Sequence, residues 1–253
     1  MPRASDYLQE GYTYHITQRC HDRRFLLRFA RDRDAYRDWL REGVKRHSVP
    51  IYGWCLTSNH VHIVLHCDNV TEVSSLMHLA SGSTAKQYNV RKERSGSMWE
   101  KPYHCTVIQP GAHLLNCLCY VDLNMVRAGV VSSPSDWKWC GYHELTGHRE
   151  RYRLLDREKL IESLEVASVE QLQSFYRDAI ERRLAQIQQR EPHWTESLAV
   201  GTKEFVEAIK CEYRNRWEFK IEEADGSAGQ VWSVRESSEP YSAISGPKTV
   251  SKG

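Results

Sequence analysis

Large apolar side chains recur at every second position between residues 11 and 19 (Tyr12, Tyr14, Ile16), and this period of two predicts a strand. In the charged stretch that follows, residues 36–44 predict an amphipathic helix with Tyr36, Trp39 and Leu40 turned inward. Pro50 introduces a second strand over residues 51–56. A tight turn at Thr57, Ser58 and Asn59 leads to a third, where Val61, Ile63 and Leu65 alternate with His60, His62 and Val64. So short a link makes these two strands antiparallel neighbours. Asn69 opens a helix with Glu72 at the capping-box offset; Val73, Leu76, Met77 and Ala80 form its stripe, and the polar, basic residues 86–92 close it. After a Ser-Gly-Ser loop at 95–97, residues 103–108 predict a fourth strand, and Pro110 and Gly111 stop it just before another helical pattern. Strand-helix-strand therefore occurs twice. The predicted fold class is α+β, a ferredoxin-like antiparallel sheet (βαββαβ) with two crossover helices on one face and an added helix on the other.

Further on, Pro134, Trp137, Trp139 and Tyr142 form an aromatic strip that is expected to pack the added helix onto the domain, and residues 149–153 read as a basic hinge. Ser168 and Gln171 form a second capping-box pattern. The helix it opens turns Leu172, Phe175, Ile180, Leu184 and Ile187 inward and ends at Pro192. Residues 202–222 predict one more helix with Phe205, Val206, Ile209, Tyr213 and Trp217 inward. Beyond about residue 224, Gly, Ser and Pro dominate and periodicity is lost, as in a disordered tail. The expected organisation is a domain over 1–150, a helical C-terminal extension over 151–222 and a tail over 223–253.

Composition narrows the class only a little. The chain has 253 residues, 40% of them hydrophobic, enough for one core of ordinary size. A formal net charge of +2 does not announce a nucleic-acid binder, so the distribution of charge matters more than its sum. Residues 19–46 hold ten Lys and Arg against five Asp and Glu, with Arg19, Arg23, Arg24 and Arg28 ahead of most of the acids. Eight cysteines occur without a Cys-x-x-Cys pair, which reads as reduced thiols in a cytoplasmic protein rather than a zinc site or disulfide framework. The longest apolar run is too short to span a membrane.

Candidate chemistry sits on two elements. His60 and His62 share one face of a strand, two residues apart, where two imidazoles can grip one cation. On the helix after Gly111, Leu114, Leu118, Val121 and Met125 fall within an arc of roughly 60°, and His113, Asn116, Tyr120, Asn124 and Arg127 within a separate arc of roughly 80°. The pair and the phenol together read as a metal-assisted tyrosine nucleophile. Either element alone is more often structural: a surface or core histidine pair, or a tyrosine in packing.

The triplet in Ser58-Asn59-His60-Val61-His62, followed by Tyr120-Val121-Asp122-Leu123-Asn124-Met125-Val126-Arg127, resembles the single-tyrosine HUH transposases, and within them the REP-associated tyrosine transposases. The resemblance runs from about residue 11 to about residue 142, with a fainter echo at 201–206. It implies a metal-dependent endonuclease and strand transferase that cuts single-stranded DNA at hairpin-forming repeats through a covalent 5′-phosphotyrosine. Tyr120 would be the nucleophile and His60 and His62 metal ligands. Relatives carry a polar side chain one turn after the tyrosine, which makes Asn124 the expected third ligand; His66 or His104 could substitute. The ion would be Mn²⁺ or Mg²⁺, with Mn²⁺ easier on imidazole because Mg²⁺ prefers oxygen. Single-stranded or hairpin DNA is the expected partner, contacted by Arg3, Arg19, Arg23, Arg24, Arg28, Lys86, Arg91, Lys92, Arg94 and Arg127. The sequence leaves monomer and homodimer open. Where the family has proline after the Asn, this chain has Met125, which lets the helix run on unbroken. Three rival readings are a catalytically idle DNA-binding protein on the same fold, a histidine-pair phosphoesterase and a replication-initiator nuclease with the same triplet.

Overall fold

Strand β1 (Tyr12–Arg19) lies between β3 (His60–Cys67) and β4 (His104–Ile108), and β2 (Ile51–Leu56) pairs with the far side of β3. All three pairings are antiparallel. The order β2-β3-β1-β4 is the one the βαββαβ pattern produces. This is a computed structural model, and it describes residues 8–100, 102–149, 151–187, 191–213, 219–224 and 231–236.

Helices α1 (Ala30–Arg46) and α2 (Val70–Arg91) pack against each other on one side of the sheet. Ser81 of α2 donates to Gln18, which shares a face of β1 with Tyr14 and Ile16. The Asn69 side chain caps α2 by accepting from the backbone N–H groups of Thr71 and Glu72. The Glu72 carboxylate does not complete the capping box; it accepts from His47 at 2.7 Å instead. On the opposite face α3 (Ala112–Asp122) packs against β2. Gly53 makes that approach possible, because a Cβ there would lie 2.5 Å from Leu118 Cδ2. Helix α4 (Asn124–Arg127) follows after an interruption at Leu123 (φ −79°, ψ 1°), so the expected continuous helix is corrected: it breaks without a proline. Asp122 anchors the break, accepting from the Tyr176 hydroxyl at 2.5 Å and the Gly141 N–H at 3.2 Å.

The aromatic strip packs elsewhere than expected. Trp137 donates to the Leu56 carbonyl, Trp139 donates to Asp34, and the Arg33 guanidinium lies 4.8 Å and 3.9 Å from their ring centres, so the strip clamps β2 to α1. Four helices follow: α5 (Tyr142–Leu145), α6 (Arg157–Leu164), α7 (Val169–Ala185) and α8 (His193–Glu196). On α7 the buried side chains are Leu172, Tyr176, Ala179 and Ile180; contrary to expectation Phe175 is exposed, and the helix stops at Ala185, before the exposed Ile187.

The C-terminal region is only partly the helical extension the pattern predicts. Strand β5 (Ala199–Gly201) joins β4 in parallel, helix α9 (Lys203–Tyr213) follows, and the chain returns as β6 (Phe219–Ala224) and β7 (Val231–Glu236). Strand β7 pairs antiparallel with both β5 and β6, so the sheet over the described residues has seven strands in the order β2-β3-β1-β4-β5-β7-β6. Two expectations are thereby corrected. Of the helix expected over 202–222, Lys203–Tyr213 is helical among the described residues while Phe219–Ala224 is strand, and the segment read as tail contains Val231–Glu236, whose Val231 and Val234 are buried. Trp217 lies outside the described residues. No helix among the described residues is long and apolar enough to cross a membrane.

Candidate active site

Strand register gathers the polar residues of three strands, β1, β3 and β4, on the α3 side of the sheet. His60 is opposite Arg19, His62 opposite Thr17, Val64 opposite His15, Thr17 opposite His104 and His15 opposite Thr106. Because cross-strand partners project to the same side, His60, His62, His15, Thr17, Arg19, His104 and Thr106 share one face.

The hydrogen bonds fix which nitrogen of each imidazole carries its proton. His15 Nδ1 lies 2.8 Å from the Trp194 carbonyl, which can only accept, so that nitrogen is protonated. Burial pushes the His15 pKa down to about 3, so its ring is neutral and its Nε2 is an acceptor. His62 Nδ1–H donates to that Nε2 at 2.9 Å, leaving His62 Nε2 with a lone pair; the Asn124 carboxamide donates to it at 3.0 Å. Likewise Asn59 Oδ1 accepts from His60 Nδ1–H at 2.7 Å, with Thr57 Oγ1 at 2.9 Å, leaving His60 Nε2 unprotonated. Asn59 is oriented in turn by donating from Nδ2 to the Arg23 carbonyl. Burial, with help from Arg19 and Arg127, lowers His60 to about 4 and drives His62 well below the usual histidine range. Two neutral imidazoles at 4.7 Å between ring centres, each with Nδ1–H tied back and Nε2 lone, are a donor pair suited to a divalent ion. Asn124 stands where a turn of its carboxamide offers an oxygen as well.

The Tyr120 ring centre is 6.0 Å from His62 and 6.0 Å from His15. Its ring is 7% exposed, between Trp194 (6.1 Å) and the Arg127 guanidinium, which lies 4.0 Å from the ring centre. Burial raises the phenol pKa; Arg127 and a hydrogen bond with Thr195 work against the rise. Arg127, expected as a DNA contact, donates to the Tyr120 carbonyl at 2.6 Å and so lies beside the tyrosine. Thr195 lines a cleft of about 420 Å³ with Thr17, Arg19, Arg23, Glu100, Pro102, His104 and Glu196, which opens beside the histidine strand.

The remaining predicted residues lie farther out. Arg19, Arg23, Arg24, Arg28, Lys86 and Lys92 are exposed. Arg91 forms an ion pair with the buried Asp32, and Arg94 donates to the Ser97 carbonyl. Arg3 lies outside the described residues. His66 and His104 share the face of His60 and His62 but are engaged elsewhere, His66 with Thr13 and Asp68 and His104 with Ser197 and Thr106. Sequence reasoning missed His15, Asn59 and Trp194. The alternation of Thr13, His15 and Thr17 opposite Tyr12, Tyr14 and Ile16 was a usable signal for the first; Trp194 offered none.

Residues 9–123 match the family of IS200-like transposases. The matched segment covers β1 to α3 and so includes His15, His60, His62 and Tyr120, while Asn124 falls one residue beyond it. The likeness to IS200-like transposases stops before α4 and the strands β5 to β7. Among solved structures the chain is similar to a REP-associated tyrosine transposase bound to a REP hairpin, at 18% identity and a TM-score of 0.47, over 59% of this chain and 87% of that one. Among curated proteins none matches.

Proposed function

We propose that the protein is a single-tyrosine DNA endonuclease and strand transferase acting on hairpin-forming single-stranded DNA, with Tyr120 as the nucleophile. The observation that carries this reading is the joint arrangement of two neutral imidazoles, each with Nε2 free of its proton, and a phenol ring 6.0 Å from one of them. The match to IS200-like transposases over residues 9–123 supports it.

His60, His62 and Asn124 would hold a divalent ion, Mn²⁺ in preference to Mg²⁺. When bound, the ion supplies charge that polarises the scissile phosphate. The chain's own residues do the rest. His15 and Asn59 keep the Nδ1 protons of His62 and His60 in place, so no proton has to leave before a ligand bond forms. Arg127 lies against the Tyr120 ring and favours its anionic form. The Tyr120 oxygen bonds to phosphorus as the leaving strand departs with its 3′ oxygen, which takes up a proton; the 5′ phosphate stays on the enzyme, and reversal rejoins the strand without a nucleotide cofactor. Arg19 and Arg23 line the cleft beside the histidines and would hold the strand by its phosphates. With the ring 7% exposed beside Trp194, attack needs the segment carrying Trp194 and Thr195 to shift or the ring to turn out.

That burial favours a second reading, DNA binding without cleavage. Incubation of the protein with an end-labelled hairpin oligonucleotide and Mn²⁺ separates the two. The nuclease reading expects a denaturant-resistant protein–DNA species that chelation, Tyr120→Phe or His62→Ala each abolish. An absent species, or one that survives Tyr120→Phe, supports binding alone.

A further inference from the structure

The segment between β1 and α1, residues 20–29, is stitched to the turn that carries His60. Cys20 N–H donates to the Asn59 carbonyl at 2.7 Å, Leu27 N–H to the Ser58 carbonyl at 2.9 Å, and the Asn59 side chain to the Arg23 carbonyl at 3.2 Å. Two successive residues without the freedom of glycine, Asp22 (φ 56°) and Arg23 (φ 54°), take the left-handed conformation, a strained arrangement that recurs at functional segments. Leu26 and Leu27 are buried and pin the segment down, yet their neighbours are not: Phe25 is 65% exposed and Phe29 50%. Two phenyl rings left in water contribute little to the core, and cations surround the Phe29 ring. The Arg28, Arg31 and Lys92 head groups lie 5.8, 5.6 and 5.7 Å from the Phe29 ring centre, while Arg19 and Arg23 line the adjoining cleft. Among the described residues, Arg19, Arg23, Arg24, Arg28 and Arg31 have no carboxylate within ion-pair distance.

We propose that Phe25 and Phe29 are stacking platforms for unpaired nucleobases of the DNA strand, whose phosphates run over the arginines of this segment toward His60. The inference rests on the DNA-processing reading above and adds to it a site for the single-stranded flank of the hairpin. Exposed aromatic faces bracketed by cations fit a single strand, because every unpaired base offers a π face and every linkage a negative charge. A duplex fits poorly, since its base faces are already stacked. A purely apolar protein partner would bury the surrounding cations at high cost.

Fluorescence anisotropy of the full chain without metal tests this, using two hairpin oligonucleotides with the same stem, one blunt and one with unpaired flanks. The double variant Phe25→Ala/Phe29→Ala should bind the flanked hairpin more weakly by roughly 5- to 150-fold per stacked base. Its affinity for the blunt hairpin should stay within about twofold, and its melting temperature should be unchanged because both rings are exposed. Phe25→Trp and Phe29→Trp should keep the affinity, and their fluorescence should be quenched by the flanked hairpin only. Equal affinities of wild type and the alanine variant for the flanked hairpin, equal losses on both hairpins, or an effect confined to self-association by light scattering each overturn the proposal. Flank-dependent binding with no covalent adduct in Mn²⁺ leaves the platform standing and defeats the nuclease reading; an adduct with no flank dependence does the reverse.

Discussion

The residues that carry the proposed chemistry are held by hydrogen bonds whose direction leaves little freedom. The path from the Trp194 carbonyl through His15 to His62 ends in an unprotonated Nε2, so His15→Phe should leave His62 free to exchange tautomers. Mn²⁺ affinity, read by electron paramagnetic resonance of the free ion, should then fall about 10- to 100-fold; unchanged affinity would make His15 a packing residue only. The lowered histidine pKa values predict a pH profile as well. His60 stays neutral down to about pH 4 and burial likewise holds His62 well below the usual histidine range, so Mn²⁺ affinity should be level between pH 8 and about 5. An affinity that begins to fall near pH 6.5 would mean the imidazoles are solvated. The same shifts have a cost in stability. Below pH 6.5 the unfolded chain takes up protons that the folded histidines refuse until about pH 4, so stability declines as pH falls across that window. His60, His62, Tyr120 and Asn124 were legible in the sequence because strand and helix periods place side chains on faces. His15 was on the page by the same rule. The placement of Arg127 over Tyr120 was not legible, because a position on the helix says nothing about which way a long side chain folds back.

At the scale of elements, the break between α3 and α4 shows what sequence could not say. A proline would have announced it, and with Met125 in its place the pattern read as one helix. The structure interrupts the helix at Leu123 anyway, with buried Asp122 bound to Tyr176 and Gly141 beside it. The cause is tertiary, from contacts with α7 and the segment before α5, and local pattern is blind to it. Met125 therefore sits in the first turn of α4, where proline is tolerated. Met125→Pro should cost only the part of the buried methionine side chain it gives up, about 1–3 kcal/mol in urea unfolding, whereas Val121→Pro adds roughly 3 kcal/mol for a proline in a helix interior to its own loss of burial. A loss as large as the interior one would show that the chain needs an unbroken helix here.

For the whole molecule, the βαββαβ half was readable because each element has a clean period and short links. The addition of β5, β6 and β7 was not, since β5 is three residues long and β7 lies in a Gly- and Ser-rich stretch. Pairing across such distances in sequence leaves no local trace. The strands nevertheless belong to the core. Leu198 N–H donates to the Val234 carbonyl, and Val231 and Val234 are buried. A chain ending at residue 230 should lose roughly 1.5–3 kcal/mol for each of these valines, seen as a lower urea midpoint; an unchanged midpoint would mean β7 contributes nothing to the sheet. The extension also bears on the proposed function, because the residues that lead into β5 include Trp194 and Thr195, which flank the tyrosine. The same part of the chain thus completes the fold and covers Tyr120.

The central claim is that the Tyr120 oxygen takes a DNA phosphate with the help of a cation held by His60 and His62. Peptide mapping by mass spectrometry after incubation with Mn²⁺ and a hairpin oligonucleotide, followed by nuclease trimming, tests it most directly. The account predicts a nucleotide-phosphate mass added to the peptide containing Tyr120, present with Mn²⁺ and absent from the His60→Ala/His62→Ala protein. An adduct on any other residue, or one formed equally well without metal, contradicts it.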